Sequence, residues 1–236
     1  MPIKWNVDIV DEIDSTQIPV LEAAKQGKDE GFAVRALKQN NGKGRFNRKW
    51  EGDDEGNIYL SFLLRPKADI SVWGQLSFVV AVALAETVNE FSPDSKQFGL
   101  KWPNDLMVNN KKSAGILLEV ENKSLIVGVG VNILNHPEGK SCLNDIIPNI
   151  NSDDFLNKFL IKISDLYDIW NVKGFLEIKK IWSNYCIMMG KLVNVSIVND
   201  DFQGTAVKLD EQGNLHVEKL NGELKIVSSG DVYFSL

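Results

Sequence analysis

The order of apolar runs predicts an α/β (α+β) chain in two parts, a mixed helix-and-strand domain over residues 1–189 and a small β-barrel over residues 190–236. Three observations carry this. Apolar side chains between Trp73 and Phe91 recur in a helical rhythm, between stretches that read as strands. From Gly190 the pattern changes to short β segments about ten residues apart, as in small all-β barrels. With 44% apolar and 25% charged residues over 236 positions, each part can bury a core of the ordinary globular kind.

The first element expected is a helix. Ser15 and Thr16 are capping residues, Pro19 suits a first turn, and Leu21, Ala24 and Gly27 trace the helix and its stop. Strands follow at Phe32–Leu37 and Ile58–Leu64, separated by a polar, charged loop that contains glycines. Trp73, Leu76, Val80, Ala83, Leu84 and Val88 then mark a helix with one buried face. Strands resume at Phe98–Trp102, Leu106–Val108, Ala114–Val120 and Leu125–Ile133. Asn109-Asn110 is a tight hairpin turn, because asparagine tolerates positive φ. Helices are expected over Asp153–Trp170 and Phe175–Cys186. The barrel strands read Leu192–Val198, Gly204–Leu209, Leu215–Lys219, Leu224–Val227 and Val232–Phe234, with turns at Asp200-Asp201, Gly213-Asn214 and Asn221-Gly222.

Several functions are disfavoured at once. A net charge of −6 argues against broad attraction to nucleic acid, which needs a basic face. Cys142 and Cys186 stand far apart without metal-ligand spacing, so no metal site is expected. The N-terminal MPIKWNVDIVDEIDST lacks the basic start and apolar stretch of a secretory signal, and the apolar run Phe78–Leu84 is too short to span a bilayer. The expected setting is the cytoplasm, with no membrane partner. His136 and His216 are the two histidines, one in an expected loop and one in the barrel, so no Ser–His–Asp or Cys–His set is in view.

Three segments carry candidate chemistry. In Gln39-Asn-Asn-Gly-Lys-Gly-Arg-Phe-Asn-Arg-Lys-Trp50, Gly42 and Gly44 let backbone N–H groups approach a ligand, and Lys43, Arg45, Arg48 and Lys49 set four cations within seven residues. That suits polyphosphate, although the glycine spacing is neither Walker nor dinucleotide-binding, and a solvated surface turn fits as well. In Lys101-Trp-Pro-Asn-Asp105 followed by Lys111-Lys112-Ser-Ala-Gly115, Lys112 opens an apolar strand and is placed to offer one charge over the sheet, or to solubilise a turn. Gly128, Gly130 and Asn132 share one face by period-two alternation, leaving it bare for a flat ligand or for a closely packed helix. Cations beside glycine turns suit the joining of two anions, such as a carboxylate and the α-phosphate of ATP.

Taken in order, Ser15-Thr16, Gln39…Gly42-Lys-Gly-Arg45…Arg48-Lys-Trp50, Lys101-Trp-Pro-Asn-Asp105, Lys112…Ala114-Gly115 and Gly128…Asn132 resemble the biotin–protein ligase family, in its type without an N-terminal DNA-binding domain. The KWPND segment with a lysine eleven residues after Lys101 is the most telling part, and the terminal barrel resembles the family's SH3-like domain. The resemblance implies a catalytic mixed-sheet domain related to class II aminoacyl-tRNA synthetases. It implies biotin and ATP as substrates, Mg²⁺ as a cofactor and a lysine of a biotin carboxyl carrier protein or domain as acceptor. By the same resemblance Ser15, Thr16, Gln17 and Gln39 surround the biotin rings, with Gly42, Lys43, Gly44, Arg45 and Gly115 completing that subsite. Lys112 contacts the biotin carboxylate and the α-phosphate, and with Arg45 is the catalytic pair. Arg48, Trp50, Lys101, Asn104, Asp105 and Asn132, with Arg45 and Lys112, serve the nucleotide. A homodimer through an exposed sheet edge is common in the family.

Three positions depart from the family's pattern. Lys43 stands where arginine is usual, so a planar two-point grip becomes a point charge. Asn47 replaces a usual glycine, at low cost if φ is positive there. Gln17 replaces a usual asparagine and is one methylene longer. Two alternatives share parts of the pattern: a lipoate–protein ligase, with the same fold and adenylate chemistry, and a non-enzymatic sensor of biotin or its adenylate.

Overall fold

A computed structural model describes residues 3–52, 56–93, 96–197 and 200–234. Strands β1 (Asn6–Ile13), β2 (Phe32–Lys43), β3 (Lys49–Gly52), β4 (Ile58–Leu64), β5 (Phe98–Lys101), β6 (Asp105–Val108), β7 (Lys111–Glu121) and β8 (Ser124–Val131) form one mixed sheet. Its order is β1-β2-β4-β8-β7-β6-β5, with β3 also on β2. β1 runs parallel to β2 and the other pairs are antiparallel. A second, antiparallel sheet has the order β12-β11-β10-β9-β13, from β9 (Leu192–Ile197), β10 (Asp200–Leu209), β11 (Leu215–Lys219), β12 (Leu224–Val227) and β13 (Asp231–Phe234). The helices are α1 (Gln17–Lys25), α2 (Leu76–Phe91), α3 (Ser152–Lys173) and α4 (Phe175–Tyr185). The large mixed sheet and the small antiparallel unit agree with the fold class read from the sequence, and Gly190 lies in the link between α4 and β9.

The corrections have physical reasons. The first element is not α1 but β1, an edge strand whose residues are all exposed or half-buried, which leaves no clean apolar run. β2 does not stop at Leu37; it continues to Lys43 and pairs with β3, so much of the expected loop is a hairpin. Asp200 and Asp201 are strand residues paired with Ile197 and Ser196 rather than a turn, and Val198 lies outside the described residues. α2 is not buried on one face only: Leu76 through Ala85 are all buried, with α3, α4 and the sheet around them. With the 3-10 turn before it, Ile70–Phe91 is long and apolar enough to cross a membrane by length and composition, against the shorter run expected, and 67% of an apolar 18-residue stretch within it is buried inside the protein.

Ile58–Leu64 and the Asn109-Asn110 turn fall where expected, the latter with φ of 50° and 60°. Just before β4, buried Asn57 clamps the chain that leaves β8. Its Oδ1 accepts the backbone N–H groups of Ile133, Leu134 and Asn135 at 2.8, 3.1 and 3.3 Å, and its Nδ2 donates to the Asn135 carbonyl. Asn57→Ala removes that acceptor at once, and a stability loss of about 2–3 kcal/mol is expected. Urea unfolding checks this; a loss below about 0.5 kcal/mol, the range of ordinary surface changes, refutes the clamp.

Candidate active site

A cavity of about 390 Å³ opens where the start of α1, the β2–β3 hairpin, the β5–β6 turn, β7, β8 and β13 meet. Its wall includes Ser15, Thr16, Gln17, Gln39, Lys43, Gly44, Arg45, Arg48, Trp50, Lys101, Asn104, Asp105, Lys112, Gly115 and Asn132, so residues far apart in sequence are brought together. Gly42 is the exception and is not on the wall. A Cβ there would come within 2.6 Å of the Trp50 carbonyl oxygen, so this glycine serves the close pairing of β2 with β3.

Thr16 organises the floor more than it caps α1, whereas Ser15 Oγ accepts the N–H of Gln17 at 3.4 Å. Thr16 has no side-chain capping bond; its N–H and hydroxyl both donate to Gln39 Oε1, at 2.8 and 3.1 Å, and the hydroxyl lies 2.7 Å from Ser61 Oγ. Gln17 is buried, and its Nε2 donates to Glu119 at 2.8 Å, which leaves Oε1 buried with no partner. The glycine face expected on β8 exists, but side chains lie on it: a Cβ on Gly130 would fall 2.2 Å from the Trp50 ring, and one on Gly128 3.1 Å from the Gln17 amide. Neither a bare face nor a packed helix describes it; flat polar and aromatic groups do.

Charge is concentrated around Asp105. Its two carboxylate oxygens meet Lys112 Nζ at 2.6 Å and Lys101 Nζ at 3.1 Å. Burial alone raises this carboxyl's pKa, but the two ammonium charges outweigh it and hold the group below its ordinary value. A carboxyl whose pKa is lower folded than unfolded stabilises the fold above about pH 4, and that contribution is lost as pH falls through the folded value. Asp105→Asn is therefore expected to flatten the acid limb of the stability–pH curve below about pH 4. Thermal melts from acid to neutral pH check this, and an unchanged acid limb refutes it.

The β2–β3 hairpin turn carries the other cations. Burial lowers the Arg45 pKa while Asp231 and Asp105 oppose it, and Arg45 donates to Asn104 Oδ1 at 3.2 Å. The left-handed residue of this turn is Phe46, with φ 54°, rather than its neighbour Asn47. Arg48 is paired with Asp231 of β13, which raises its pKa, and Tyr233 of β13 places its ring 5.5 Å from Lys101 Nζ. Gly230 to Tyr233 thus complete the wall from the second sheet. Sequence reasoning missed them, as it missed Ser61, which is a polar residue in a buried apolar strand and in that sense a visible signal. Trp102, fully buried, donates its ring N–H to the Gly213 carbonyl at 2.9 Å, a second tie between the sheets.

This arrangement can bind and neutralise an anion between Lys112, Lys101 and Arg45, beside an enclosed polar floor. Among known proteins, residues 9–134 match the profile of the Biotin/lipoate A/B protein ligase family, and residues 189–235 that of the Biotin protein ligase C terminal domain. The bifunctional ligase/repressor BirA of Bacillus subtilis is 30% identical, covering 93% of this chain and 71% of its own. The biotin–[acetyl-CoA-carboxylase] ligase of Mycobacterium tuberculosis is 28% identical, covering 96% and 88%. The biotin protein ligase of Aquifex aeolicus, solved with biotin and ATP, superposes with a TM-score of 0.87 at 30% identity, over 98% of this chain and 99% of that one. Both halves of the chain agree, and it belongs to the biotin protein ligase family.

Proposed function

We propose that this chain is an ATP-dependent, AMP-forming biotin–protein ligase that transfers biotin to a lysine of a carboxyl carrier protein or domain. The observation that carries the reading is the Lys112–Asp105–Lys101 cluster, set beside Arg45 and at the end of a floor lined by Gln17, Thr16 and Gln39. Gln17 Oε1, buried and unpaired with its amide turned by Glu119, is a ready acceptor for a ring N–H of the ureido group. It offers this despite the extra methylene relative to the usual asparagine.

In the first half-reaction a biotin carboxylate oxygen attacks the α-phosphorus of ATP. A C–O–P linkage forms, the bond to the β-phosphate oxygen breaks, and pyrophosphate leaves. Lys112 and Lys101 lower the repulsion between the two anions, and Asp105 holds both ammonium groups in place until they arrive. Arg45 lies in the hairpin that covers the cluster, with Asn104 as its anchor. In the second half-reaction the carrier's lysine amine attacks the acyl carbon, the C–O bond breaks, and AMP leaves as the amine sheds a proton.

The cavity's own carboxylates do not fit a resident Mg²⁺ site. Asp105 is engaged by two lysines and Asp231 by Arg48, and Glu51 is exposed. Mg²⁺ belongs with the phosphates of ATP in this reading, in keeping with its usual binding through substrate phosphates. Both cysteines are free, which supports a reducing, cytoplasmic setting.

The test supplies labelled biotin, Mg·ATP and a carrier domain. Label that survives acid on the carrier's lysine is expected, with biotin-dependent pyrophosphate release. Release that depends on lipoate and not on biotin refutes the substrate, and tight biotin binding without release would make the chain a sensor.

A further inference from the structure

Beyond the cavity, the segment leaving β8 brings three donor groups of different chemistry together. A ring nitrogen of His136, Sγ of Cys142 and a carboxylate oxygen of Asp145 all lie within 4.8 Å of one another. Cys142 is buried while the other two are exposed, so the cluster is backed by protein and open to solvent. The spacing argument against a metal compared Cys142 with Cys186; the spacing that matters is Cys142-x₂-Asp145, two donors on one tight turn, as in the paired ligands of zinc knuckles. His136 joins them from the loop before.

The Asp145 carboxylate is oriented by its own hydrogen bonds. One oxygen of Asp145 accepts from Ser141 Oγ and the Cys142 backbone N–H, while the other faces Cys142 Sγ at 3.4 Å. Outer hydrogen bonds of this kind orient ligating carboxylates. His136 Nδ1 lies 2.9 Å from the Pro137 carbonyl, and the tautomer with its proton on Nδ1 leaves the lone pair of Nε2 for an ion.

We propose that His136, Cys142 and Asp145 form a site for one divalent transition ion of borderline softness, zinc foremost, with a fourth position left to water. A thiolate, an imidazole and a carboxylate are the donor types such ions take. On binding, the S–H bond of Cys142 breaks, a sulfur–metal bond forms, and the proton passes to solvent, so affinity rises with pH. The ion would take the place of the thiol proton between Cys142 Sγ and the Asp145 carboxylate, which are 3.4 Å apart. The site also borders the cavity. Ser141 donates its N–H to the Lys112 carbonyl and accepts from the Asn132 amide, and Pro137, Gly139 and Lys140 line the wall. An ion at this turn would anchor that rim.

The experiment titrates the metal-stripped full chain with Co²⁺ and reads sulfur-to-cobalt charge-transfer absorbance. One ion per chain is expected, displaced by Zn²⁺. The absorbance should vanish in Cys142→Ser, weaken at least roughly tenfold in apparent affinity in His136→Ala, and persist in Cys186→Ser. Zn²⁺ should raise the melting temperature of the wild type and of Cys186→Ser but not of Cys142→Ser. His136 is exposed, so its variant remains informative if the Cys142 change unfolds the chain. Absence of sulfur–cobalt absorbance at saturating Co²⁺, its survival in Cys142→Ser, its loss with Cys186, or an unchanged affinity in His136→Ala overturns the proposal.

Discussion

Lys112→Ala should lose biotin-dependent pyrophosphate release by roughly 100- to 1000-fold, about 3–4 kcal/mol of transition-state stabilisation, while Lys111→Ala stays near wild type. The two lysines are neighbours on β7, and successive strand residues project to opposite sides. Lys112 Nζ sits 2.6 Å from Asp105 within the cavity cluster, whereas Lys111 is exposed at the rim. Removing Lys112 also leaves the buried Asp105 with Lys101 as its remaining ammonium partner, so folding is to be checked by melting alongside the rate. Equal, mild losses in the two variants would show that the pair is a solvated turn and that the charge for the chemical step comes from elsewhere.

Arg45→Gly should separate making the adenylate from keeping it. Arg45 is anchored to Asn104 and lies with its guanidinium 4.9 Å from the Phe46 ring, so it holds the hairpin down over the cavity. A residue that closes over a bound intermediate governs its escape as well as its formation. Lys43 sharpens the test, because a point charge there leaves Arg45 as the nearest planar grip on phosphate. The variant is expected to form biotinyl-adenylate and release it early, so that bystander lysines become labelled and carrier specificity falls while total labelling persists. The assay incubates variant and wild type with labelled biotin, Mg·ATP and a lysine-rich protein that is not a carrier. A variant that labels neither protein places Arg45 in the chemical step; one with wild-type specificity leaves it on the rim.

What could be read from the residues follows the physics of each element. β4 was legible to the residue because seven consecutive buried apolar or small side chains admit one reading once their length is considered. The Asn109-Asn110 turn was legible because its chemistry is local. β1 was not, since Asn6–Ile13 contains acidic residues and owes its strand state to parallel pairing with β2, more than twenty residues later. The polar end of β2 was hidden for the same reason: its partner β3 had no apolar signal of its own. At the site, the cations and glycines announced themselves, and the structure gathers all of them but Gly42 on one wall. Asp231 and Tyr233 did not, because nothing distinguishes them from other barrel residues until Arg48 and Lys101 are beside them. The helical rhythm of α2 likewise understated its burial, because α3 and α4 cover the side that a single amphipathic helix would leave wet.

The contribution of β13 has a consequence for the chain during its own synthesis. The cavity wall draws on residues from Ser15 to Tyr233. A nascent polypeptide emerging from the ribosome can fold its larger sheet early, as N-terminal units generally do, yet the partner of Arg48 has not been made until residue 231 is translated. Ribosome-bound intermediates, and fragments cut anywhere before Gly230, lack the part of the wall that Gly230 to Tyr233 supply. A reactive mixed anhydride formed in such an unfinished chain would have no seal. By drawing its last wall from Gly230 to Tyr233, the fold delays the enclosed site until the second sheet has been made.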